Sequence, residues 1–199
     1  MTSLTSELSQ LKASVEAQVR AAGEGNSSQQ QEMSEEIRNA LGNSKVLVEA
    51  AEDGDWSEVG KLLDEGVKAN GYDNDGYTPL IMGCHGGMET AVEILLERGA
   101  RVNFPAVDKS TACHVAVQAG HMNILDLLLE KKPNVNLALA NGATPLFIAA
   151  QEGHLWAVNM LLEAGSDADI HLNAGATPLF MATQVRHFGT FCSQMLVLM

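Results

Sequence analysis

The chain has 199 residues and a formal net charge of −13, which argues against a surface built to track nucleic-acid phosphates and favours solubility and basic partners. No apolar run is long enough to cross a bilayer, and Met1 to Gln10 has neither a basic start nor an apolar core, so it does not read as a secretory signal. Cys84, Cys113 and Cys192 form no CxxC pair and suit a reducing compartment, so a cytoplasmic or nuclear location is expected.

Residues 1–42 differ in texture from the rest and are expected to form a leader, partly helical or disordered. Leu4, Leu8, Leu11 and Val15 alternate in steps of four and three, one stripe of an amphipathic helix. Gly23-Glu24-Gly25-Asn26-Ser27-Ser28 breaks it with linker composition. A second short helical stretch is predicted from Met33 to Leu41. The leader helix offers a route to oligomerisation or to a partner.

From Asn43 the chain repeats. Thr78-Pro79-Leu80, Thr111-Ala112-Cys113, Thr144-Pro145-Leu146 and Thr177-Pro178-Leu179 follow one another every 33 residues. Gly54, Gly87, Gly120 and Gly153 keep the same step. Each threonine is placed to cap a helix, and proline suits the first helical position because its missing N–H would be unpaired there. That helix runs through small residues such as Ala149 and Ala150 and stops at the glycine. A second helix follows with leucines at core spacing, as in Leu161-Leu162, and ends at Gly66, Gly99 or Gly165. Lys132 stands at that last position in the third unit, where Pro133 is expected to stop the helix.

This combination of period, Thr-Pro-Leu, Gly-His, paired leucines and Val-Asn links resembles the ankyrin repeat. The resemblance implies an all-α solenoid of stacked helix–turn–helix–hairpin units over 43–199, in about five repeats: 43–72, 73–105, 106–138, 139–171 and a degenerate 172–199. It departs from the family pattern in places. The histidine after Thr-Pro-Leu survives only as His114, with Ile81, Phe147 and Phe180 elsewhere, so apolar side chains are expected to fill that space. Lys109 stands where other turns carry Gly76, Gly142 and Gly175, which predicts a turn of different shape. The apolar end Met195 to Met199 lacks the polar outer face of a terminal repeat, so it is expected to be truncated or altered, or to pack on something.

Catalysis and metal binding find no support in the residues. His121, His154 and His187 are one repeat position seen three times, and Cys84 and Cys113 fall at buried positions. Glu49, Glu52, Asp53, Asp55 and Glu58 read as the solvated cap of the first unit, with a docking patch for a basic partner as the alternative. No cofactor is expected. The resemblance implies a non-catalytic module that presents a concave face to a protein partner, as adaptor, scaffold or inhibitor. The alternative is an assembly subunit of a homo-oligomer or larger complex, held by the leader helix and the apolar tail. Neither a nucleic-acid nor a membrane partner is expected.

Positions that vary between units need not maintain the fold, so they are the candidate contacts. They are Tyr72, Asn74, Asp75, Tyr77 and His85 in the second unit, and Asp108, Ser110 and Gln118 in the third. Gln151, Glu152 and Trp156 complete the set in the fourth. Tyr72, Tyr77, His85 and Asp75 are expected to form the strongest patch, because tyrosine combines a large apolar body with a polar tip. Trp56 is expected to pack inward.

Overall fold

The structure is a computed structural model that describes residues 44–184. The expected leader and the decayed end of the fifth unit lie outside the described residues.

Nine helices are described: α1 (44–52), α2 (Trp56–Asp64), α3 (Pro79–Gly86), α4 (Glu89–Glu97), α5 (Ala112–Ala119), α6 (Met122–Glu130), α7 (Pro145–Glu152), α8 (Leu155–Glu163) and α9 (Pro178–Gln184). No strand occurs among the described residues. The helices stack in two rows. In the inner row α3 packs on α5, α5 on α7 and α7 on α9; in the outer row α2 packs on α4, α4 on α6 and α6 on α8.

Local chemistry sets the helix ends. Thr78, Thr144 and Thr177 accept hydrogen bonds through Oγ1 from the backbone N–H of Ile81, Phe147 and Phe180 at 3.2–3.3 Å. Gly87, Gly120 and Gly153 take φ of 71°, 75° and 74° and close the inner helices. The outer helices end through Gly66, Gly99 and Gly165, also at positive φ, and Lys132 takes φ 51° in their place. Lys132 adopts the left-handed geometry itself, directly before Pro133.

Stacking supplies the core. Leu80, Leu95, Leu125, Leu128, Leu146 and Leu161 are essentially inaccessible to solvent, each such side chain contributing roughly 1.5–3 kcal/mol of burial. Ala116, Ala149 and Ala150 are equally buried, which lets neighbouring inner helices approach closely. Ile81 and Phe147 fill the space that a histidine takes in α5, as expected. Phe180 does not: it is 51 % exposed, because among the described residues no further helix pair stacks beyond α9 to cover it.

Successive hairpins are tied through their backbones. The N–H groups of Val107, Ala140 and Asn173 donate to the carbonyls of Asp75, Asp108 and Asn141 at 2.8, 3.4 and 2.9 Å. The long bond belongs to the turn that carries Lys109. Contrary to the expected change of shape, Lys109 takes φ 67° and makes the same turn as the glycines at that position. Its N–H donates to Ala106, as that of Gly142 does to Leu139. What differs is the side chain. A β-carbon on Gly76 or Gly142 would stand 3.0 or 2.9 Å from a backbone nitrogen of the next hairpin, so Lys109 holds that hairpin away.

Asparagines add a second tie. Asn70 donates through Nδ2 to the Gly99 carbonyl at 3.1 Å and accepts at Oδ1 from Arg101 N–H at 2.8 Å. Asn136 repeats this with Gly165 and Asp167. Asn103 makes only one such bond, from Asn134 N–H at 3.0 Å. On the outer row the Arg98 guanidinium reaches the Asp64 carboxylate and the Leu63 carbonyl of the preceding pair.

Candidate functional site

An open hollow of about 800 Å³ runs across the first three helix pairs. Three layers of residues build it. The last turns of the inner helices contribute Glu52, His85 and Gln118, which share one position in successive repeats. The hairpins contribute Asp73, Tyr77, Asp108 and Ser110. The starts of the outer helices contribute Trp56 and Met88, and Ile81, Met82 and Val115 line the apolar part.

The turns aim the polar groups. Asp73 accepts at Oδ1 from the backbone N–H of Asp75 and Tyr77 at 2.9 and 2.7 Å. Asp108 accepts at Oδ1 from Ser110 N–H at 2.8 Å. In both, the short side chain bonds its own turn, and Oδ2 takes no hydrogen bond among the described residues. Trp56 is half-buried, as its inward packing predicts; a β-carbon on Gly83 would lie 3.4 Å from its ring.

Ser110 departs from its expected place on the open surface. It is only 6 % exposed, and its Oγ has no hydrogen-bond partner. The larger Tyr77 at the same repeat position is only half-buried.

The other candidates are divided. Tyr77, His85, Asp108, Ser110 and Gln118 come together in the hollow. Tyr72, Asn74 and Asp75 are exposed beside it but do not line it. Tyr72 stacks on Phe104 of the next hairpin, with ring centroids 5.5 Å apart and planes 27° from parallel. Gln151 and Glu152 are exposed at the end of α7, beyond the hollow. Trp156 is 67 % exposed on α8, in the outer row. Trp56, Asp73 and Met88 were not among the sequence-based candidates, and Glu52 entered only with the acidic cluster of the first unit. For Asp73 the signal existed: a carboxylate stands where later repeats carry Ala106, Leu139 and Leu172.

The remaining reactive side chains serve the fold. Burial pushes the Cys113 thiol up to about 12 and the Cys84 thiol higher still, with Cys113 adding to the second effect, so both stay protonated and unreactive. His114 is buried with Nδ1 accepting from Thr111 N–H at 3.2 Å and lying 2.9 Å from Thr111 Oγ1. Its Nε2 donates to the Ala143 carbonyl at 3.3 Å, which selects the Nε2-protonated tautomer. Burial lowers its pKa to about 4. Among the described residues no three His, Cys, Asp or Glu side chains are placed to hold a metal ion, and no helix is long and apolar enough to cross a membrane.

A family model described as "Ankyrin repeats (3 copies)" matches residues 103–174, and one described as "Ankyrin repeat" matches 75–107. No curated protein matches the chain.

Proposed function

The chain belongs to the ankyrin-repeat family, whose repeats are generally protein–protein interaction modules, and from that premise we propose that it is a non-catalytic adaptor, scaffold or inhibitor that engages a protein partner through the hollow. The hollow itself carries this reading: it gathers side chains that the repeat does not dictate onto a frame held by hairpin and asparagine ties. Such a frame presents its contacts already ordered, so little freedom is lost on binding. The reading extends to a cytoplasmic or nuclear setting, in keeping with the free thiols of Cys84 and Cys113.

The test is quantitative affinity purification of the wild type against Tyr77→Ala/His85→Ala. A specific partner should be depleted about tenfold or more in the double variant, the usual scale for losing a contact hot spot. Partners retained equally by both proteins sink the reading.

One observation favours an assembly subunit instead. Phe180 stands 51 % exposed at a position buried in the preceding repeats. Light scattering over a concentration series, on the wild type, Phe180→Ser and a chain lacking 1–42, separates the two readings. Self-association that either change abolishes supports assembly; a wild type that stays monomeric rejects a homo-oligomer.

A further inference from the structure

We propose that the hollow receives the positively charged side chain of a lysine or arginine in an extended peptide segment of the partner. The inference rests on the binding-module reading and specifies its chemistry.

Charge points to the sign of the guest. Glu52, Asp73 and Asp108 line the hollow, and neither lysine nor arginine does. Asp73 and Asp108 each commit Oδ1 to their own turns and hold the carboxylates in place. A cation bringing several N–H donors complements the remaining oxygens.

Ser110 gives an independent indication. Its Oγ is buried and unpaired among the described residues, and Ser110 lines the hollow. A buried hydroxyl without a partner costs roughly 1–3 kcal/mol. The fold does not ask for it, since Ala143 and Ala176 occupy the same position in later repeats. A donor from the guest would satisfy it. Trp56 and Tyr77 also line the hollow and supply aromatic surface for the rest of such a side chain, since an aromatic face covers an alkyl stem and attracts a cation above the ring. The hollow is larger than one side chain and open, which leaves room for flanking peptide backbone.

The experiment is selection of a random dodecapeptide library on the immobilised full-length chain, followed by affinity measurements on the selected peptides. Peptides sharing one lysine or arginine are expected. Replacing that residue by norleucine should weaken binding about tenfold or more. Asp73→Asn combined with Asp108→Asn should do the same, because asparagine keeps the turn acceptor and removes the charge. Ser110→Ala should weaken binding severalfold without lowering thermal stability. Three results overturn the proposal. Basic peptides indifferent to both carboxylates would show only general attraction to an acidic protein. Peptides anchored by an apolar or acidic side chain and lost with Tyr77→Ala would leave the binding-module reading standing. A library with no peptide sensitive to Tyr77→Ala would reject both.

Discussion

The imidazole of His121 lies on Gly87 of the preceding repeat, so close that a β-carbon there would stand 2.7 Å from Cε1. Gly87 also takes φ 71°, a left-handed conformation costly for other residues. His154 approaches Gly120 in the same way, at 3.4 Å from a β-carbon to Nε2. The Gly-His pair is thus a contact between repeats: the glycine of one unit receives the histidine of the next.

Gly87→Ala should destabilise the protein by about 2–3 kcal/mol, combining the backbone cost with displacement of His121. Gly54 separates the two effects. It has φ 74° and nothing within 4 Å of a β-carbon, so Gly54→Ala should cost about 1 kcal/mol. Urea denaturation of both variants checks the difference. Equal losses would mean that the histidine yields freely.

Lys109→Gly should raise stability by about 0.5–1 kcal/mol, since it relieves a left-handed lysine at some cost in chain entropy. It should also draw the next hairpin closer. Hydrogen exchange at the Ala140 amide, whose bond to Asp108 is 3.4 Å long, should slow in the variant. Unchanged exchange would mean that the Lys109 side chain is not what holds the hairpins apart.

His114 predicts a loss of stability in acid. Its pKa falls from 6.5 to about 4 on folding because burial disfavours the imidazolium. The unfolded chain therefore binds the proton more readily. The stability due to neutral His114 is full above pH 6.5, declines as pH falls and is gone below about 4, a total of about 3 kcal/mol. Denaturation midpoints across this window should show a shallower pH slope in His114→Gln than in the wild type. Parallel slopes would place the acid sensitivity elsewhere.

Ser110→Ala should raise stability by about 1 kcal/mol, because it removes a buried hydroxyl that finds no partner. Thermal denaturation of the free protein gives the answer. A clear loss of stability would show that the hydroxyl is satisfied in the native state.

Repeat spacing made the scaffold legible. Thr78, Thr144 and Thr177 could be read as caps, and Gly87, Gly120 and Gly153 as stops, because each acts on backbone within a few residues of itself. The site was less legible because it depends on what a neighbouring repeat presents. Ser110 and Tyr77 share a position and both line the hollow, yet Ser110 is buried and Tyr77 only half-buried. Tyr72 reads as a free contact until Phe104 of the next hairpin is seen beneath it. Lys109 shows a related limit. Its identity suggested a new turn, but backbone bonds from both sides hold it in the shape of its glycine counterparts.

The asparagine ties are uneven along the array. Asn70 and Asn136 each grip the following repeat at two points, whereas Asn103 grips at one. Along this edge the step between the second and third helix pairs has the fewest asparagine bonds of the three, and the hollow spans that step. The hairpin edge is graded differently: its bond is short at that step, 2.8 Å from Val107 to Asp75, and long at the next, 3.4 Å from Ala140 to Asp108, so the two edges are weakest at different steps.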